Sequence, residues 1–232
     1  MQDSLNKLDW AQLRVELDER GYAMIPPILT PGECASLIAL YDQRDRFRSK
    51  VDMARLRFGL GEYKYFAAPI PPLVATLRAT LYPAVAAIAN DWMAALRSAE
   101  RFPAALDVFL DHCHRSGQTK PTPLMLRYTA GGYNCLHQDL YGEVVFPLQF
   151  TFMLSAEVDY RGGEFLLMEQ RPRAQSRGHA VRLELGAAIL FATRYRPMRS
   201  TRGYYRVNVR HGVATVDAGA RFTLGIIFHD AK

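Results

Sequence analysis

Cysteine is scarce in this sequence and scattered. Cys34, Cys113 and Cys135 are the three present, an odd number without C-x-x-C spacing. That argues against a disulfide frame and for a reducing compartment, with the cytoplasm as the default. No apolar run approaches the roughly 20 residues needed to span a bilayer, so no membrane partner is expected. Residues 1–9 hold acids and no apolar stretch, which excludes a secretory signal. There is no internal repeat and no low-complexity segment, so the chain is not built as an array. Lysine is missing from Arg171 to Arg210, where ten arginines stand with one acid, Glu184. That segment carries +9 of a net charge of +6, leaving −3 for the remainder. Arginine without lysine suits fork-like recognition of phosphate or carboxylate.

What is present suits one globular domain, alone or with a helical extension: 232 residues, 49% hydrophobic and 22% charged. The first half reads as helical. Leu5, Leu8, Leu13 and Leu17 recur at roughly helical spacing before Gly21, and Tyr22 to Ile25 reads as a short strand. Thr30-Pro31-Gly32-Glu33 is a capping box with proline at the first helical position. Leu73, Leu77, Leu81, Val85, Ile88, Trp92 and Leu96 predict a long amphipathic helix containing Pro83, and Leu106 to Cys113 predicts another. His112 and His114 flank that last stripe but do not converge, because i, i+2 positions on a helix face apart. The stretch from Arg44 to Phe66 is irregular and mixes basic with aromatic residues. It reads equally as the lining of a substrate groove or as a solvated loop anchored by aromatics.

From Pro123 the hydrophobic period changes to two. About eight strands follow, separated by glycine turns such as Gly162-Gly163. Helices followed by strands predict an α+β chain, with a helical N-terminal buttress over 1–122 and an all-β core over 123–232.

Within that core stands His137-Gln138-Asp139. On extended backbone, side chains two apart point the same way, so an imidazole and a carboxylate share one wall. One more histidine would complete a 2-His-1-carboxylate facial triad, which binds iron and leaves positions open. His179 lies in an arginine- and glycine-rich stretch read as a loop, and His229 ends the last strand. His211 shares parity with Tyr205, Val207 and Val209, which directs it inward. Ten residues on, Arg221 and Thr223 face away from the apolar set Phe222, Leu224, Ile226 and Phe228. A guanidinium inside a barrel needs an anionic partner, either an internal acid or a dicarboxylate ligand.

Together these features resemble the Fe(II)/2-oxoglutarate-dependent dioxygenases. The pattern is H-x-D, the strand Gly162-Gly163-Glu164-Phe165, the Gly186-led apolar strand, the distal His211, Arg221 and Thr223. The whole chain resembles the bacterial Oxygenase-NA group through Gly61 to Phe66, Asn134 to Gly142 and Glu169 to Arg173. The resemblance implies a double-stranded β-helix, or jelly roll, with helices on one sheet. It implies Fe(II) on His137, Asp139 and His211, and 2-oxoglutarate held by Arg221, Thr223 and Tyr128, with O2 as second co-substrate. Tyr128 matches a co-substrate tyrosine of the AlkB-type repair enzymes, although Leu126 stands where those enzymes have asparagine. The ten-residue interval from His211 to Arg221 is similar to that of prolyl hydroxylases.

Oxidation of alkylated nucleic acid is therefore the favoured activity. Protein or small-molecule hydroxylation is the alternative, and the intact triad with its arginine argues against a non-enzymatic binding module. Arg199 and Arg202 are the candidate phosphate contacts, expected at the mouth of the barrel, and Tyr63 and Tyr65 the candidate base contacts.

Overall fold

The computed structural model describes residues 2–139 and 142–232. Leu140 and Tyr141, inside the Asn134–Gly142 segment that carries part of the resemblance, lie outside the described residues.

The helices form where caps and apolar periodicity coincide. After a short turn, α1 (Gln2–Leu5), α2 (Trp10–Arg20) begins at Asp9, whose carboxylate accepts from Gln12 N, and ends at left-handed Gly21. Leu13 and Leu17 are its buried face. In α3 (Pro31–Leu40) both halves of the Thr30–Glu33 capping box are made. A single turn, α4 (Met53–Leu56), precedes α5 (Pro72–Ala95) and α6 (Leu106–Arg115).

One expectation needs correcting. An 18-residue window of α5 has mean hydropathy 1.4, so by length and composition this helix qualifies to cross a membrane. Arg78 and Pro83 interrupt the run in sequence, which hides it from a search for continuous apolar stretches. In the fold it is a core helix. Tyr82 packs against Phe109, Phe146 and Phe228. Buried Arg78 donates to the carbonyls of Ile227 and Phe228 and to Asp230 at 2.7–3.0 Å.

The strands in chain order are β1 (Tyr22–Ile25), β2 (Phe47–Asp52), β3 (Gly59–Leu60), β4 (Glu62–Phe66), β5 (Leu124–Thr129), β6 (Tyr133–His137) and β7 (Leu148–Met153). Then come β8 (Tyr160–Gly162), β9 (Phe165–Gln170), β10 (Arg177–Val181), β11 (Ala188–Ala192), β12 (Tyr195–Ser200), β13 (Gly203–Val213) and β14 (Val216–Ile226). They build two antiparallel sheets. The larger runs β1-β11-β7-β14-β5-β4-β2, with β8 beside β14; the smaller runs β10-β9-β13-β6-β3, with β12 beside β13. This is the α+β jelly roll that the sequence predicts.

Two details differ from expectation. The N-terminal segment is not only helical: β1, β2 and β4 extend the large sheet and β3 the small one. The stretch from Arg44 to Phe66, read as irregular, contains β2 to β4. Its alternation is real but muted, with Phe47, Ser49 and Val51 half-buried and Arg48, Lys50 and Asp52 exposed. Lys50 pairs with Glu62 across the strands. Likewise β8, β10 and β12 are strands beyond the expected set, and His179 lies on β10, not in a loop, edge-on to Tyr22.

The arginine block also divides. Arg196 is fully buried; its Nε donates to Glu169, and its two terminal nitrogens donate to the carbonyls of Asp18 and Glu19. It thereby ties the end of α2 to the small sheet. A buried charge persists only with such compensation.

Candidate metal centre and anion pocket

The site lies between the sheets, where β6 and β13 run side by side. His137 closes β6 and is directly opposite His211 on β13. Just past His211 the register shifts, and Gly212 makes this possible. A Cβ there would sit 2.6 Å from the Asn134 carbonyl oxygen, so a side chain would force the strands apart beside the histidines.

His137, Asp139 and His211 each offer a ligand atom, and these atoms lie within 4.8 Å of one another. Asp139 Oδ1 is 3.4 Å from His137 Nε2, and Oδ2 is 3.2 Å from His211 Nε2. The Nδ1 of His137 faces the Cys135 carbonyl at 2.8 Å; with the proton on Nδ1 the ring donates there and its Nε2 lone pair points into the cluster. His211 is buried between the rings of Phe165 and Phe191.

Burial opposes the charge on Asp139, but the two imidazoles outweigh it and hold the carboxyl well below the usual carboxylate range. Burial also opposes protonation of His137, yet hydrogen bonding to Asp139 raises its pKa. His211 is lowered, by burial and then by the neighbouring His137. Two imidazole nitrogens and one ionised carboxylate fit an Fe(II) ion on one face, with the remaining positions open to other ligands.

Gln149 was not a sequence candidate. It is buried on β7, and its Nε2 donates to Asp139 Oδ2 at 2.8 Å. This fixes the carboxylate from the side away from His137. The signal was available: a glutamine and Thr151 interrupt an otherwise apolar buried strand.

The same cavity is lined by Tyr63, Tyr65, Tyr128, Arg221 and Thr223. Arg221 and Thr223 are each 1% exposed. Among the described residues none supplies an acceptor in hydrogen-bonding geometry to the three Arg221 guanidinium nitrogens; Tyr128 and Tyr160 stand near it. Burial depresses the Arg221 pKa, and these tyrosines offset part of that. Gly163 supplies the room: a Cβ there would lie 2.9 Å from Arg221 Cδ. Tyr128 is pushed above the ordinary phenol range by burial, with Arg221 opposing. A buried guanidinium left without an acceptor is costly, and a carboxylate ligand in this cavity would relieve it. Of the two partners that the sequence allows, an internal acid and a dicarboxylate, no acid among the described residues stands in hydrogen-bonding position to Arg221.

Arg199 and Arg202 are elsewhere, contrary to expectation. They sit at the tip of the β12–β13 hairpin: Arg199 is opposite Tyr204, seven residues along β13 from His211, and Arg202 is nine residues from it, roughly 23–30 Å at strand rise. They do not frame the cavity.

A family profile described as "Oxygenase, catalysing oxidative methylation of damaged DNA" matches residues 61–231. Uncharacterized proteins from two strains of Mycobacterium tuberculosis are 50% identical over 167 residues, covering 72% of this chain and 72% of each relative. The fold resembles a Pseudomonas putida prolyl-4-hydroxylase, with TM-score 0.53, 14% identity, and coverage of 96% of this chain and 100% of that one. It also resembles a 2OG-Fe(II) oxygenase-family oxidoreductase from Burkholderia pseudomallei, with TM-score 0.55, 14% identity, and coverage of 97% and 94%. A Trichoplax adhaerens prolyl hydroxylase, solved with a peptide fragment, scores 0.55 at 13% identity, covering 99% and 91%.

Proposed function

We propose, from the premise that this chain belongs to the Oxygenase-NA family of Fe(II)- and 2-oxoglutarate-dependent oxygenases, that its substrate is an alkylated base in nucleic acid. The observation that carries the site assignment is the buried Arg221, with no acceptor in hydrogen-bonding geometry among the described residues, in one cavity with His137, Asp139 and His211. His137, Asp139 and His211 hold Fe(II). Arg221 and Thr223 receive the distal carboxylate of 2-oxoglutarate, with Tyr128 as a further donor. When bound, Fe(II) with 2-oxoglutarate and O2 supplies the power to oxidise a substrate C–H bond, with release of succinate and CO2.

The chain's own residues arrange the rest. Gln149 keeps one carboxylate oxygen of Asp139 aimed, and the Cys135 carbonyl keeps the proton on His137 Nδ1. Phe165, Phe191 and Phe150 make the surroundings apolar and limit water. Tyr63 and Tyr65, in T-shaped contact at 5.5 Å, form an aromatic wall on which an unstacked base packs. The family description supports nucleic acid as the substrate, and so does the arginine-rich segment. A peptide is the second reading, favoured by the ten-residue interval from His211 to Arg221.

Succinate formation separates the two. Methylated oligonucleotides are expected to stimulate it and proline-containing peptides are not. Tyr63→Ala and Tyr65→Ala should each raise the oligonucleotide KM about tenfold, in keeping with one lost base–aromatic contact. Stimulation by peptides alone would replace the nucleic-acid reading with the hydroxylase one.

A further inference from the structure

The strands that carry His211 also carry a surface which the cavity does not use. Along β13, Val207, Val209 and His211 face inward, while Tyr204, Arg206, Asn208 and Arg210 face out and are exposed. Across the hairpin Arg199 is opposite Tyr204, and Tyr195 is opposite Asn208, so these side chains share the outer face. Arg202 is in the turn. Between Glu184 and Asp217 the sequence has six arginines and neither an acid nor a lysine. Buried Arg196 takes Glu169; among the described residues, no ion pair engages Arg194, Arg199, Arg202, Arg206 or Arg210.

Aromatic rings lie among these charges. Tyr195 has the guanidinium carbons of Arg206 and Arg194 at 4.8 and 5.4 Å from its ring centroid. Tyr204 is 53% exposed, a free ring near the hairpin tip. The face backs the site across the small sheet. Gln138, between the two candidate ligands of the H-x-D motif, donates to the carbonyls of Arg194 and Val209, and it shares a surface depression with Asn208, Arg210 and Gln170.

We infer that this outer face of the β12–β13 hairpin is a docking track for single-stranded nucleic acid. Arg199, Arg202, Arg206 and Arg210 contact phosphates and Tyr204 stacks on a base. The inference rests on the nucleic-acid reading above and deepens it. Charge complementarity selects the occupant: a file of guanidiniums without carboxylates attracts a polyanion. Side chains on one face of a strand recur every two residues, roughly 6.7 Å, a repeat suited to an extended backbone. Exposed tyrosine among arginines is the composition of sequence-tolerant single-strand grooves.

The test is equilibrium binding of fluorescent single-stranded and duplex oligonucleotides at several salt concentrations, with the full chain. R199Q/R202Q/R206Q should weaken single-strand binding more than tenfold and lower the salt slope by about two, at about 0.7 per phosphate. The triple lysine variant should restore most of the slope, because phosphate attraction tolerates a point charge. Tyr204→Ala should weaken binding about tenfold with the slope unchanged. Circular dichroism checks that each variant is folded. Single-strand binding that none of these changes alters overturns the track while leaving the nucleic-acid reading intact. So does tighter duplex binding that is indifferent to Tyr204. Absence of oligonucleotide binding by the unaltered protein at low salt overturns both, and binding to anionic vesicles in its place would assign the face to a lipid surface.

Discussion

Arg221→Ala is expected to remove 2-oxoglutarate binding almost entirely. A charge-assisted contact of this kind contributes about 1.5–3 kcal/mol, and more when desolvated, so the co-substrate KM should rise by at least one to two orders of magnitude. Arg221→Lys should recover only part, because an ammonium cannot engage both carboxylate oxygens as a planar fork does. The isosteric control is more telling. With no ligand, Arg221 is a 1%-exposed charge with no hydrogen-bonding acceptor among the described residues. Arg221→Met should therefore be as stable as the parent without co-substrate, or more so, since burying an incompletely compensated ion costs several kcal/mol. With Mn(II) present throughout, 2-oxoglutarate at a hundred times the parent's Kd should add about 2.7 kcal/mol to the parent and almost none to the methionine variant. Thermal melts with and without 2-oxoglutarate read both effects. Equal 2-oxoglutarate stabilisation of parent and variant would place the carboxylate elsewhere.

His137→Ala, Asp139→Ala and His211→Ala should each abolish stoichiometric metal binding and succinate formation. Each removes one of three donors, and no other described histidine is placed to substitute. His179 faces Tyr22 on β10, and His229 Nδ1 accepts from the Phe146 backbone N–H. Asp139→Ala also strands the Gln149 amide, which donates to that carboxylate. Gln149→Leu should be graded: it leaves three ligands but frees one carboxylate oxygen from its aim, and outer partners of this kind contribute about 10–100-fold in metal affinity. Metal analysis and Mn(II) titration measure the series. Full occupancy in His211→Ala would move the third ligand and with it the centre.

The candidate ligands were legible in sequence because strand parity is a strong constraint. His211, Arg221 and Thr223 all face the cavity, as a period of two requires, and the Thr30–Glu33 cap formed as written. Long-range pairing was not legible. Nothing local to Arg196 announces Glu169 on another strand or the carbonyls at the end of α2, so in sequence it is one more member of the block suited to phosphate or carboxylate. The hairpin arginines were misplaced for a related reason. The sequence reading puts them at the mouth of the barrel, whereas β12 and β13 extend as strands well beyond the site. The pieces β2 to β4 escaped because strands exposed on one side alternate polar with half-buried residues, a pattern weaker than a core strand's.

The order of the large sheet also bears on what must fold together. Its two outermost strands, β1 and β2, both come from residues before 61, where the family profile begins. A fragment starting at residue 61 would keep every candidate ligand. It would also leave β11, apolar and buried at each of its five positions, without its neighbour on one side, and β4 on the other. Unpaired apolar edges recruit further strands. Light scattering of such a fragment should show aggregates that the full chain does not form. That result would make the unit by which the family is recognised smaller than the unit that stays dispersed, with the leading sixty residues as the seal on a sheet that others of its kind would otherwise join.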